Sequence, residues 1–144
     1  MTQRIPDESD AAALAALDAL CFSDPWSIAS FCEALKEEHY TFVVLEEDGR
    51  IVGYAGMWIV LDTADITNVA ILPAFRRRGL ARQLLSVLAD TAKAKGVTRL
   101  QLEVRQSNIA ARSLYESLGF TVDGKRKRYY RRPEEDAVLM SLSL

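Results

Sequence analysis

Little in this chain of 144 residues suits redox, metal or histidine chemistry. Its two cysteines, Cys21 and Cys32, stand eleven apart with no Cys-x-x-Cys pair. That excludes a disulfide scaffold and a thiolate zinc site, and two reduced thiols in a cytoplasmic protein are expected. His39 is the only histidine, so a Ser-His-Asp or Cys-His mechanism would rest on that one residue. No metal site is expected. There is no apolar run of about 18 residues, so no membrane span is expected. The opening Met1-Thr2-Gln3-Arg4 is not followed by the apolar stretch of a secretory signal. Internal repeats, linkers and low-complexity segments are also missing. What is present is 49% hydrophobic and 26% charged, the composition of a single globular domain over residues 1–144, for which a monomer is expected.

The net charge of −2 conceals an asymmetry. Residues 1–50 carry eleven acids against three bases, whereas residues 51–144 carry nine acids against fifteen bases. The halves suit partners of opposite charge, unless the charges only solvate helix faces.

Local pattern divides the chain into alternating elements. Asp7-Glu8-Ser9-Asp10 precedes an Ala/Leu stretch with Leu14, Leu17 and Leu20 at helical spacing, which predicts a helix with acids at the positive end of its dipole. Ser23-Asp24-Pro25 ends it. Ser27 is expected to cap a second helix with Ile28, Phe31, Cys32 and Leu35 on one face. Residues 40–45 and 51–60 read as strands around an Asp48-Gly49 hairpin turn, and residues 65–72 as a third, stopped by Pro73. Leu80, Leu84, Val87, Leu88 and Ala92 then predict an amphipathic helix ending at Gly96. Leu100, Leu102 and Val104 alternate with Gln101, Glu103 and Arg105 as in a strand. Ser107 is the expected cap of a last helix reaching Leu118, and two strands, residues 120–130 and 137–142, close the order.

Two segments carry chemistry. In Ala74-Phe75-Arg76-Arg77-Arg78-Gly79-Leu80-Ala81-Arg82, a strand gives way to a basic turn and then a helix. Free helix amides, the dipole and four arginines make an anion site, and Gly79 lets the backbone approach the ligand. An ordinary basic turn would look similar. The second segment runs from Leu102-Glu103-Val104-Arg105 through Ser107-Asn108 and Ala111 to Leu114-Tyr115-Glu116-Ser117-Leu118-Gly119-Phe120.

Together, R-x-x-G-x-A at a helix start and S-N-x-x-A-x-x-L-Y-E-x-L-G-F after a strand resemble the GCN5-related N-acetyltransferase superfamily. Asp24-Pro25-Trp26-Ser27, residues 68–72 and Glu135-Asp136-Ala137-Val138-Leu139-Met140 extend the likeness to its RimI-type protein N-terminal acetyltransferases. The resemblance covers nearly the whole chain. It implies an α/β fold with a mixed six- to seven-stranded sheet and about four helices, its central parallel strands splayed into a wedge for acetyl-CoA.

It further implies that backbone groups of Val69, Ala70 and Ile71 pair with the pantetheine arm. Amides across Arg77, Arg78, Gly79, Leu80, Ala81 and Arg82 would hold the pyrophosphate, and Arg76 and Asn108 would also contact the cofactor. Glu103 would be the base and Tyr115 the acid for the departing thiolate, Trp26 and Tyr129 or Tyr130 would touch the acceptor, and the product would be an N-acetylated ribosomal protein beginning with alanine. On periodicity alone, Glu103 could equally be a solvated residue paired with Arg105, and Tyr115 a core-flanking ring. Ala81 stands where the family commonly has glycine, and Arg131-Arg132-Pro133-Glu134-Glu135 replaces a loop richer in glycine. Alternative readings are a broader lysine or small-amine acetyltransferase, or a non-catalytic coenzyme A-binding or ribosome-binding module. The run Lys125-Arg126-Lys127-Arg128-Tyr129-Tyr130-Arg131-Arg132 suits either RNA contact or a charged strand edge.

Overall fold

Asp7 accepts a hydrogen bond from the Ser9 amide, while the Asp7 amide donates to Asp10. This reciprocal cap opens a short 3-10 turn, Glu8–Asp10, that runs into the first helix. The computed structural model describes residues 1–144. Its elements are β1 (Thr2–Arg4), α1 (Ala11–Cys21), α2 (Ile28–Lys36), β2 (Tyr40–Glu47), β3 (Arg50–Val60), β4 (Thr63–Ile71), α3 (Leu80–Ala94), β5 (Arg99–Arg105), α4 (Ile109–Ser117), β6 (Thr121–Arg131) and β7 (Glu134–Ser143). All seven strands form one sheet in the order β1-β2-β3-β4-β5-β7-β6, with β4 and β5 parallel and every other pair antiparallel.

The sheet divides the helices. Tyr54 of β3 packs edge-on against Phe31 of α2 and donates to Asp18 of α1, which places α1 and α2 on its face. Register carries that face across the sheet through Trp58, Asp65 and Gln101, so Glu103 and Arg105 lie on it too. On the other face, Leu84, Leu85 and Leu88 of α3 are buried against the sheet, and Arg82 ties α3 to Ser117 of α4 at 2.6 Å.

Most predicted boundaries agree to within a few residues, and three details differ. Leu20 is 63% exposed, because the inward stripe of α1 is Leu14, Leu17, Asp18 and the half-buried Cys21. Ile28 lies outside the buried face of α2, which consists of Phe31 and Ala34. Asn108, not Ser107, caps α4: its side chain accepts from the Ala111 amide at 3.2 Å, while the Ser107 amide is taken by Glu135.

The feature that shapes the site is how briefly β4 and β5 pair. Their ladder comprises only Thr63, Ala64 and Asp65 against Arg99, Leu100 and Gln101. Residues 66–71 and 102–105 then diverge. On its other side β4 stays paired to β3 as far as Ile71, with a bulge at Thr67 that changes which side chains face which way. A V-shaped gap therefore opens in the middle of the sheet, with an unpaired backbone edge of β4 along one wall.

Candidate active site

Along that wall the peptide groups alternate. The Leu72 amide donates to Val52 of β3 at 2.8 Å, so the backbone of Ala70, two residues earlier, points the same way. Val69 and Ile71 consequently direct their amides into the gap, and the expected role of the Ala70 backbone is corrected to pairing with β3. The Ile71 carbonyl is already engaged by Arg76 Nε (3.1 Å) and Cys21 Sγ (3.4 Å).

At the end of β4 the chain turns into α3 through two left-handed residues, Arg77 (φ 64°) and Gly79 (φ 75°). Gly79 occupies the cap position without a side chain, so the first amides of α3, those of Leu80, Ala81 and Arg82, lack both an intrahelical acceptor and a side-chain cap. The arginine side chains mostly turn elsewhere: Arg76 to Ile71, Arg78 over the Phe75 ring at 4.9 Å, and Arg82 to Ser117. Only Arg77 has no protein partner. The anion-binding capacity of this turn thus resides in its amides and dipole more than in its guanidinium groups.

Across the gap, Glu103 is exposed on β5 and makes no hydrogen bond or ion pair within the protein. Arg105 does not pair with it. The Arg105 guanidinium instead donates to the carbonyls of Pro133 (2.8 Å) and Arg132 (3.2 Å), meets Glu135 at 3.3 Å and lies 4.4 Å from the Tyr130 ring centroid. Hydrogen bonds from Ser107, then from Arg105, hold the Glu135 carboxyl below its ordinary range. Arg105 and Glu135 thereby join the β6–β7 turn to the loop leading into α4.

Tyr115 of α4 is buried against Phe120, yet its hydroxyl has no protein partner and is not occluded. Burial alone pushes its pKa up to about 12. Tyr130 is half-buried and is also pushed up to about 12, first by burial and then by neighbouring groups, including Glu103 and Tyr115. Residues from β5, α4 and β6 therefore converge beside the gap. Tyr129, 45% exposed, faces Tyr130 edge-on, is the first of the neighbours that raise the Tyr130 pKa, and lies beneath Arg126. Asn108 adjoins the site as the α4 cap, and the single histidine, His39, packs tilted against Trp58, ring centroids 5.1 Å apart, at the far end of β3.

A buried polar set went unnoticed in the sequence. Asp18 is 1% exposed, accepting from Tyr54 at 2.5 Å and from the Trp26 amide at 2.8 Å, and burial raises its pKa. It fastens the loop between α1 and α2 to the sheet. Ser23 in that loop also donates to the Arg132 carbonyl, so the two loops flanking the gap touch. Asn68 of β4 is buried beside this set with Oδ1 unpartnered. The available signal was Asp18 at the fourth position after Leu14, a carboxylate on an otherwise apolar stripe.

The acetyltransferase (GNAT) family matches residues 11–120. This chain belongs to that family. Its relatives include the [ribosomal protein bS18]-alanine N-acetyltransferases of Salmonella typhimurium, 43% identical over 122 residues (83% of this chain, 82% of the other), and of Haemophilus influenzae, 42% identical over 123 residues (83% of each). The crystal structure of the ribosomal-protein-S18-alanine N-acetyltransferase from Escherichia coli superposes with a TM-score of 0.91 at 37% identity, covering 99% of this chain and 92% of that one. The GNAT fold expected from the sequence is the fold observed, and the splayed parallel pair β4 and β5 is its wedge. The chain is an acyltransferase of this family, and acetyl-CoA is the family's donor.

Proposed function

We propose that the protein transfers the acetyl group of acetyl-CoA to the α-amine of an N-terminal alanine on a small-subunit ribosomal protein, the counterpart of bS18 in the relatives. The observation that carries this reading is the convergence of Glu103, Tyr115 and Tyr130 beside a gap whose β4 wall offers free amides. When bound, acetyl-CoA supplies a thioester whose C–S bond breaks as the new amide bond forms.

The amides of Val69 and Ile71 bind the pantetheine arm as a neighbouring strand would, and one of them polarises the thioester carbonyl. The uncapped start of α3, with Arg77, takes the pyrophosphate; the methyl of Ala81 is small enough to leave the helix amides accessible. Glu103, free of any internal partner, accepts the proton lost by the amine, directly or through a water. Tyr115 donates its hydroxyl proton to the coenzyme thiolate. Tyr130, held under Arg105, forms the acceptor side with Trp26.

An α-amine suits this machinery better than a lysine. Its pKa is about 7.7–8.0 against about 10.4, so roughly a tenth is already neutral at pH 7, and a carboxylate base suffices. The test is thiol release from acetyl-CoA with three matched peptides: a free N-terminal alanine, a blocked terminus, and a blocked terminus with internal lysines. Turnover with the first alone is expected. Turnover with the blocked, lysine-bearing peptide would replace this reading with a lysine acetyltransferase. Tyr115→Phe should lower kcat about a hundredfold while leaving acetyl-CoA binding intact; an unchanged kcat would remove Tyr115 from the chemistry.

A further inference from the structure

On the same face as Glu103, between α2 and the ends of β2 and β3, lies a cleft of about 310 Å³ that shares Trp26 with the acceptor side but takes no part in the chemical step. Its walls are three half-buried rings, Trp26, Tyr40 and Trp58, and two carboxylates, Glu33 and Glu37. Tyr40 meets Trp58 edge-on at 4.8 Å and Trp26 at 5.9 Å, so the rings stand steeply to one another and line a slot. Such a set of aromatic faces attracts a cation.

The carboxylates agree with that. Glu33 lies on α2 and Glu37 is the residue that ends it, four positions on, and neither has an ion pair or side-chain hydrogen bond. The only base of α2, Lys36, is directed to Glu8 at 3.7 Å. Phe42 stacks on Tyr40 at 5.2 Å and His39 packs against Trp58 at 5.1 Å, so the rings offer part of their surface, and two unpartnered carboxylates beside them favour a positive, partly apolar group over a neutral one.

Position identifies its source. Trp58 is the register partner of Asp65, which is the partner of Gln101, two residues from Glu103 on the same face. Two strand spacings across to Gln101 and two residues along β5, where it has left β4, place Trp58 at least about 12 Å from Glu103. An extended peptide covers that in three to four residues.

We infer that this cleft binds an arginine or lysine side chain carried by the acceptor polypeptide at about its third to fifth residue. The inference rests on the N-terminal acetyltransferase reading above, and it adds a specificity determinant outside the catalytic centre.

Trp26 and Trp58 are the only tryptophans in the chain, so their fluorescence reports this cleft. Peptides with a blocked amino end, differing only in arginine or citrulline at the third to fifth positions, should be titrated into wild type and an E33Q/E37Q double variant. The arginine peptide should bind wild type about tenfold more tightly, and the double variant should abolish that difference. In the transfer assay with free alanine termini, the double variant should raise KM about tenfold for the arginine peptide alone, with kcat unchanged. Equal affinity for arginine and citrulline, or an arginine preference that survives in E33Q/E37Q, would overturn the inference. Failure to acetylate any alanine peptide would instead count against the parent reading, with the titration still judging the cleft.

Discussion

In the proposed reaction, Tyr115 and Glu103 do opposite jobs in opposite surroundings, and the difference can be read in pH. Burial holds Tyr115 near 12, so it keeps its proton throughout the working range. The same desolvation makes a thiolate formed beside it more basic than in water, which narrows the gap that its proton must cross. No descending limb in kcat/KM is therefore expected from Tyr115 below about pH 10. As the proposed base, Glu103, exposed and unpartnered, matters only while the amine arrives charged. Glu103→Gln should lower kcat/KM about a hundredfold at pH 7, and the deficit should shrink as the pH passes the amine's own value of about 8. A pH–rate profile of wild type and variant tests this. A deficit constant from pH 7 to 9 would mean that Glu103 orients the acceptor and does not take its proton.

Elements deliver those side chains to one place, and here the structure exceeds what the sequence shows. The two-residue and three-to-four-residue periods made the strands and helices legible, as did the Asp-Gly hairpin and the glycines after α3 and α4. The fourteen-residue likeness around Tyr115 made the proposed catalytic pair nameable only through the family. The bulge at Thr67 was invisible because no residue type marks an extra strand position. The splay of β4 from β5 was invisible because pairing between distant segments leaves no local trace. The internal partners of Arg76, Arg78 and Arg82, an acceptor or a ring near each, were not legible in the sequence. At the start of α1 the element is held by charge. Arg4 bridges Asp10 (2.8 Å) and Glu46 (3.0 Å), tying β1, the first helical turn and β2 together. The hydrogen bond from Arg4, then that from the Asp7 amide, keep the Asp10 carboxyl below its ordinary range. The lowered pKa means that this stabilisation is fully present above the unfolded value of about 3.9 and is lost as pH falls through the folded one. Asp10→Asn should cost about 1 kcal/mol near pH 7, the size of a helix cap, and progressively less toward acid pH. Urea midpoints compared at about pH 7 and pH 3 test it; an equal loss at both would assign the stabilisation to side-chain shape.

At the scale of the whole molecule, the two halves of opposite charge acquire places. The acidic first half builds α1, α2 and β2, the side where the proposed reaction receives its acceptor. The basic second half supplies the α3 turn and β6, the outer edge strand whose exposed lysines and arginines guard against edge-to-edge pairing. Two substrates of opposite charge, an anionic coenzyme and a cationic amino end, would then approach regions of complementary sign. Such steering weakens with salt, because the Debye length falls from about 10 Å at 0.1 M to about 3 Å at 1 M. KM should therefore rise several-fold for both substrates over that range, with kcat changing little once each is saturating. Initial rates with each substrate varied in turn, at four or five salt concentrations, separate the two effects. A rise confined to acetyl-CoA would leave the acidic half with no part in acceptor capture. A rise confined to the peptide would place pyrophosphate binding on short-range amide hydrogen bonds in α3, which salt screens far less than it screens exposed arginines.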